Sequence, residues 1–444
     1  MPTMSISAPH ASQQTPAQRP LTAQDAKTLA LAALGGALEF YDFIIFVFFT
    51  APISQLFFPN TTPDWLRQLM TYGLFAAGYL ARPLGGIIMA HFGDRSGRKR
   101  MFALSVFMMA VPTLLIGMLP TYATMGYAAP FALLLLRMVQ GAAVGGEVPG
   151  AWVFVAEHVP EHRVGFACGT LTSGLTFGIL LGSLVAAAIK THYGPEQLLA
   201  FGWRVPFLIG GVFGFFAVFL RRWLAETPVF EEMRQRKALV RELPLKAVLR
   251  GHLLAVGVSM LLTWVLTAGI VVVILLTPTI LPQLHGIPPA NAQVANSVAT
   301  FSLTLGCVVF GLCADRFGVG RTLGVGCLAL LAATYLLYLG VGAAPERLVP
   351  LYALTGFCVG VVGVVPTVMV RAFPAPVRFS GLSFSYNVAY AIFGGLTPLV
   401  VTLMMKTQPL APAHYVAGLC VMGVLVALYL LSAGRTRFAA VSTS

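Results

Sequence analysis

Charge is scarce in this chain. Only 10% of its 444 residues are Asp, Glu, Lys or Arg, against roughly 25% in a typical soluble domain. Hydrophobic residues make up 57%, and the mean hydropathy is +0.83. Water-soluble fold classes are excluded on that ground. The chain also lacks the alternating segments of about ten residues that a transmembrane β-barrel needs. Its first 28 residues are polar and carry no apolar core of the signal-peptide kind, so they are expected to be a disordered cytoplasmic tail. The six cysteines (Cys168, Cys307, Cys313, Cys327, Cys358 and Cys420) form no CxxC or other ligand cluster and read as small buried hydrophobes. No nucleophile–base constellation, phosphate loop or signalling domain is present. An enzyme or a membrane sensor is therefore the weakest reading, and no cofactor, metal or nucleic acid is expected.

Long apolar runs are what the chain has. A spanning helix needs about 20 apolar residues, and candidate spans fall at 29–50, 68–91, 101–119, 129–154, 165–188, 203–221, 252–280, 293–314, 322–342, 348–370, 379–402 and 411–432. The 31 Phe, 45 Gly and 29 Pro suit membrane helices, which tolerate Gly and Pro better than soluble ones do. The expected fold class is an all-α membrane protein with 12 transmembrane helices.

The formal charge of +13 would suggest nucleic acid in a soluble protein, but here its distribution reports orientation. With the N-terminus inside, Arg67, Lys190, Arg347 and Lys406 lie on the outer side. Arg82, Arg137 and Arg204 lie within or at the edge of spans, and the other 21 of the 28 Lys and Arg lie inside. This bias in short loops predicts both termini in the cytoplasm, and losing one span would invert every later loop.

One long internal connector, 221–250, sits halfway along and is amphipathic enough to form short surface helices. A repeat divides the chain at the same place. Asp94, Arg95 and Gly97 of HFGDRSGRK match Asp315, Arg316 and Gly318 of GLCADRFGVGR at an offset of 221 residues. A weaker echo pairs PEHRVGF (160–166) with PAPVRFSG (374–381). The expected organisation is a tail at 1–28, a six-helix bundle at 29–221, a cytoplasmic linker at 222–251, a second bundle at 252–432 and a tail at 433–444. Two repeated halves point to a transporter that rocks one half against the other.

The loop Gly93-Asp94-Arg95-Ser96-Gly97-Arg98-Lys99 resembles the signature of the major facilitator superfamily, with Ala90 where that family has a leading glycine and Gly311 in the second copy. Glu39-Phe40-Tyr41-Asp42-Phe43, Arg82-Pro83-Leu84-Gly85-Gly86, Arg137-Met138-Val139-Gln140-Gly141, Gly145-Gly146-Glu147 and Gly202-Trp203-Arg204-Val205-Pro206-Phe207 are similar to its metabolite:proton symporter family. Ala391-Ile392-Phe393-Gly394-Gly395-Leu396-Thr397-Pro398 looks like citrate:proton symporters. The resemblance covers the chain outside its tails. It implies a major facilitator fold, a small charged metabolite moved with a proton, and a role for Asp94, Arg95, Arg98, Asp315 and Arg316 in holding the inner side shut. The Gly-Pro signature of proton-linked drug exporters is absent, which favours uptake. In helix 5, Gly165, Gly169, Gly174, Gly178 and Gly182 instead suggest a small-residue packing stripe.

Charge at membrane depth costs about 2.5 to 3.5 kcal/mol per residue even on the lenient insertion scale, so each such residue is a functional candidate. Glu39 and Asp42 are three apart, on one face of helix 1. Two neighbouring carboxylates disfavour double ionisation, and the pair is the proton-coupling candidate. The alternative is a static partnership with a buried arginine. Arg82 and Arg137 offer rigid forks matched to carboxylates. With Tyr41, Gln140, Asn387 and Tyr390 they are the substrate-binding candidates. Glu147 lies ten residues beyond Arg137, about 15 Å along one helix, and is a candidate gate residue at the inner mouth. Pro149 is expected to kink or loosen helix 4 nearby.

Histidines other than His10 lie in or near loops, which argues against a histidine proton relay. The second half offers Thr263, Trp264, Thr267, Tyr386, Asn387 and Tyr390 in place of charge. The preferred expectation is proton-coupled uptake of a small organic anion, a di- or tricarboxylate, in a bacterial inner membrane, with a single chain as the functional unit. A zwitterion such as betaine or proline, or an aromatic or monocarboxylic acid, is the alternative, favoured if helix 1 neutralises the arginines.

Overall fold

In hydrocarbon a chain must satisfy its backbone polar groups within itself, so apolar runs of this length can only be helices. The computed structural model describes residues 19–220, 227–235 and 244–433, and its regular structure there is entirely helical. The principal helices are α1 (Ala23–Phe48), α2 (Asp64–Ser96), α3 (Arg98–Met118), α4 (Ala128–His158), α5 (Val164–His192) and α6 (Val205–Leu220). They are followed by α7 (Leu253–His285), α8 (Pro289–Phe317), α9 (Val319–Ala343), α10 (Pro345–Ala372), α11 (Ala375–Met405) and α12 (Ala411–Ala433). Among the described residues, 11 helices are long and apolar enough to cross a membrane, and α3 adds a shorter apolar stretch, Ala103–Met118. Each matches one predicted span, mostly extended by several residues at its ends.

Some local features differ from expectation. Helix α1 begins at Ala23, inside the stretch expected to be a tail. Thr22 and Asp25 close a capping box there, and Arg19 pairs with Asp25 and donates to the carbonyl of His158 (2.7 Å). Residues 1–18 and 434–444, and 221–226 and 236–243 of the linker, lie outside the described residues. Within the linker, Pro228–Gln235 and Pro244–Gly251 are short helices. Pro149 lies inside α4, which stays helical from Ala128 to His158. Two helices carry π-helical turns: α7 at Ala268–Leu276 and α11 at Tyr390–Gly394.

Helix α2 shows how the sequence sorts its faces. Leu80, Leu84, Ile88 and Phe92, four residues apart, are exposed to the surroundings, whereas Tyr79, Arg82, Gly85, Gly86 and Met89 are buried. Lipid tails are as apolar as the protein interior, so helices associate through close packing of small residues. A Cβ at Gly141 would fall on the carbonyl of Gly78, and one at Gly145 on that of Arg82, which brings α4 against α2. The glycine stripe of α5 serves two neighbours. Gly165 and Gly169 meet α8 at Gly311 and Cys307, whereas Gly174, Gly178 and Gly182 meet α1 at Ala33, Ala37 and Ile44.

The repeated glycines have a backbone reason. Gly97 (φ 112°) and Gly318 (φ 91°) turn the chain between α2 and α3 and between α8 and α9, in a region that only glycine enters freely. Helix α2 packs on α11, and α5 packs on α8. These two seams join the first six helices to the last six.

Candidate functional site

A narrow cleft of about 30 Å³ lies where the two sets of helices meet, room for a water molecule or two rather than a metabolite in this conformation. Its aromatic lining is Phe40 of α1, Trp152 of α4, and Tyr386 and Tyr390 of α11. Thr172 and Thr176 of α5 add hydroxyl groups to those of the two tyrosines, and the remaining lining is aliphatic. Among the described residues, no charged side chain lines it. Trp152 is held by an Nε1–H bond to Thr172 Oγ1 (3.2 Å), and Thr172 donates in turn to the carbonyl of Cys168 (2.8 Å). Tyr386 meets Trp152 edge-on at 5.0 Å and lies 5.3 Å from Tyr390. The i,i+4 spacing puts both tyrosines on one face of α11.

Behind the tyrosines lies Arg82. Its guanidinium carbon is 4.4 Å from the centroid of Tyr390 and 5.4 Å from those of Tyr79 and Tyr386. The Tyr79 and Tyr390 rings stack at 5.6 Å and 4°. Arg82 is 1% exposed, and its Nε and Nη2 have no hydrogen-bond partner. This is a desolvated cation held by ring faces, screened from the cleft by two side chains.

Other expected ligands point elsewhere. Arg137 donates to Gln140 Oε1 (2.8 Å), Gln140 donates to Thr113 Oγ1 (2.7 Å), and the guanidinium sits 4.3 Å from the centroid of Phe46. Tyr41 is wholly buried and donates to the carbonyl of Pro206 (2.9 Å). Asn387 donates to the carbonyl of Gly145 (2.6 Å), tying α11 to α4. Arg137, Gln140, Tyr41 and Asn387 thus fall outside the cleft lining, whereas Tyr390 is part of it. Thr263 and Thr267 bond to their own helix, and Trp264 donates to Tyr415 Oη.

Glu39 and Asp42 are 2% and 0% exposed. The Asp42 carboxylate lies where side chains at Gly210 and Gly214 of α6 would stand, and neither of its oxygens has a hydrogen-bond partner. Without side chains at those two positions there is room for the carboxylate between helices. An ionised carboxylate in that place would be a buried charge without compensation.

At the end of the bundle that carries the repeated turns, Asp94 of α2 accepts from Ser380 N (2.9 Å) and Ser380 Oγ (2.8 Å) of α11. Asp315 of α8 accepts from Gly165 N (2.7 Å) and Phe166 N (2.8 Å) of α5. Each aspartate therefore caps the first turn of a helix from the other repeat, where exposed amides and the helix dipole favour an anion. Glu157 and Arg378 form an ion pair at 2.9 Å, and Arg371 donates to the carbonyl of Glu161 (2.8 Å). The ring of Phe379 lies where side chains at Gly93 and Gly150 would stand.

Arg95 lies near His91 (3.5 Å), Arg316 lies over Phe317, and Glu147 is buried in α4. The side chain of Arg98 lies outside the described residues. Sequence reasoning missed Glu157, Arg378, Phe379 and Ser380. The echo between PEHRVGF and PAPVRFSG pointed at three of them. It also missed Phe40 and Trp152, which nothing distinguishes from other membrane aromatics.

Similarity to known proteins bears on this site. Residues 32–398 match the sequence profile of the Major Facilitator Superfamily. A putative proline/betaine transporter of Staphylococcus aureus (strain MSSA476) is 32% identical over 416 residues, 92% of this chain and 89% of that protein. An ectoine/proline transporter, ProP, of Corynebacterium glutamicum is 33% identical over 404 residues, 86% and 79% of the two chains. Among solved structures, the proton:xylose symporter XylE of E. coli shares the fold, with a TM-score of 0.75 at 19% identity over 92% of this chain and 95% of that one. The relatives overturn one expectation: they are named for zwitterions, so the small organic anion, and with it the di- or tricarboxylate, is withdrawn as substrate and partner. The helix 11 stretch that resembles citrate symporters, 391–398, supplies none of the described cleft lining, which on α11 is Tyr386 and Tyr390. The chain belongs to the Major Facilitator Superfamily and is a multi-pass transporter of the bacterial inner membrane.

Proposed function

We propose that this protein takes up a small zwitterion of the proline or betaine type together with a proton, by alternating access. The carrying observation is the cleft: aromatic rings and no charged side chain among the described lining residues, with Arg82 behind Tyr386 and Tyr390. A dianion or trianion would need several compensating charges at the cleft surface, whereas a zwitterion brings its own. The names of the relatives support the same class. On this reading the carrier is a member of the metabolite:proton symporter branch with twelve helices, in halves 29–221 and 252–432 joined by the linker 222–251. Both termini face the cytoplasm, as the bias of basic residues favours.

Asp42 and Glu39 take the coupling proton as a pair, because an ionised Asp42 would lack compensation between α1 and α6. Arg82 draws the substrate carboxylate. Arg137, Gln140 and Tyr41 stiffen the first half around it. Asp94, Arg95, Arg98, Glu147, Asp315 and Arg316 control the inner side together with Glu157 and Arg378.

The test is counterflow of labelled betaine, proline and ectoine in liposomes, with citrate and succinate as controls, followed by an imposed pH gradient. Exchange of at least one zwitterion, accumulated on acidifying the outside, is expected. Exchange of citrate or succinate alone would refute the proposal.

A further inference from the structure

We infer that Tyr352 of α10 is a positioning residue for the cleft: its hydroxyl holds α7 in a π-helical register, and substrate is admitted when α7 gives up that register for an α-helical one. This rests on the transport reading above and adds the element that opens the site. The cleft as it stands has room for a water molecule or two, so a metabolite enters only if a wall moves. Leu266 and Ile270 of α7 form part of that wall, and Ile270 lies within the π-helical turns Ala268–Leu276. Such turns inside α-helices are rare and gather at functional sites.

The physical reason lies at Pro278, which has no N–H to give. At the end of the π-helical turns the N–H of Thr277 donates five residues back, to the carbonyl of Val272. The next donor in that register would be residue 278, and its acceptor would be Val273. Proline leaves that buried carbonyl without a backbone partner, and the Tyr352 hydroxyl takes the place of the missing N–H. Tyr352 is itself wholly buried, and its Oη lies 2.7 Å from the side-chain amide of Asn296 on α8. The Val272 carbonyl is tied as well: Thr277 Oγ1 donates to it (2.8 Å) and lies 2.8 Å from Tyr338 Oη of α9. In an α-helical register the Thr277 N–H would reach Val273 instead, four residues back. Tyr352 would then be released, and the carbonyl left over would be that of Ile274. The Tyr352 bond therefore favours one of two registers of the same helix, as a bistable element requires. A one-residue change of register turns a helix by about 100°, which re-aims Leu266 and Ile270 relative to the helix beyond Thr277.

The experiment is counterflow of labelled betaine and proline in proteoliposomes carrying Tyr352→Phe, Pro278→Ala or both. Tyr352→Phe keeps the ring and removes one hydrogen bond from the closed register, so apparent substrate affinity is expected to tighten by about two- to tenfold. A tyrosine with a merely structural role would leave affinity unchanged or weaken it. Pro278→Ala supplies an N–H in either register. The carbonyl of Val273 already has a partner and that of Ile274 would not, so the α-helical form gains more and affinity should tighten here too. Adding Tyr352→Phe to Pro278→Ala should then change affinity by less than about twofold. Unchanged or weaker affinity in the single variants overturns the inference, as does an equal effect of Tyr352→Phe with and without Pro278. Hydrogen exchange without substrate keeps the two readings apart: residues 268–278 should exchange faster in Tyr352→Phe than in the unaltered protein, and equal exchange overturns the register change. If that difference is found and neither betaine nor proline exchanges, the zwitterion reading fails and the role of Tyr352 stands.

Discussion

At Asp42 a carboxylate sits between helices with no hydrogen-bond partner, beside an arginine-bearing core that does not neutralise it among the described residues. Asp42→Asn keeps the volume and removes the titration. We expect it to abolish accumulation driven by a pH gradient while preserving exchange of preloaded substrate, and normal accumulation would remove Asp42 from coupling. Arg82 makes the complementary case. Arg82→Gln removes the cation between Tyr79, Tyr386 and Tyr390, and substrate affinity should fall by about tenfold, the loss of a buried charge acting across two rings rather than of a direct contact. An unchanged apparent affinity in counterflow would exclude Arg82 from carboxylate recognition.

That these two residues matter was legible, because charge at membrane depth is costly. The surroundings of each were not. Periodicity gives the face a residue occupies on its own helix, and the neighbour opposite depends on how helices pack. Arg137, equally buried, therefore serves the first half through Gln140 and Thr113, and Arg82 reaches the cleft wall.

Among helices, the seams carry the predictions. Gly145 lies against the backbone of Arg82, so Gly145→Ala must push α4 off α2. The cost expected is about 1–3 kcal/mol of overpacking, read as a lower melting temperature in detergent, with a lowered transport rate. At the closed end, Glu157 and Arg378 form a pair whose carboxylate is almost wholly buried. A double-mutant cycle with Glu157→Gln and Arg378→Gln should return a coupling of about 0.5–3 kcal/mol, and additive effects would show that the pair does not hold the seam. Asp94→Asn weakens the anion at the first turn of α11 by about 0.3–2 kcal/mol. A cysteine at position 379, which is 2% exposed as phenylalanine, should then react faster with a membrane-impermeant thiol reagent in inside-out vesicles. No change in labelling would leave Asp94 without a gating role. The Asp94 and Asp315 repeat was readable in sequence as a pair of turns. What each aspartate caps was not, since the donors Ser380, Gly165 and Phe166 lie 149 to 286 residues away.

For the whole molecule, the two seams close one end of the bundle, and on the proposed reading uptake requires them to part while the cleft stays with the substrate. On the proposed reading, with the basic residues inside, that closed end faces the cytoplasm. Reporter fusions at the C-terminus and within the linker should therefore read as internal, and one inserted between Phe57 and Pro63 as external. An external C-terminus would overturn the orientation.

The sequence by itself determined the solvent, the placement of the long apolar helices and the location of the few interior charges. Each of these follows from local transfer free energies along the chain. The repeat at 221 residues likewise foretold the paired turns at Gly97 and Gly318, because a positive φ constrains residue type on the spot. Only the tertiary structure decided that Phe40, Trp152, Tyr386 and Tyr390 line one cleft, that Arg82 stands behind it, and that Arg137, Tyr41 and Asn387 do not line it. Those facts depend on interhelical approach, which in an apolar solvent is governed by the fit of glycines and side-chain shape between distant segments. Hydropathy does not encode that fit.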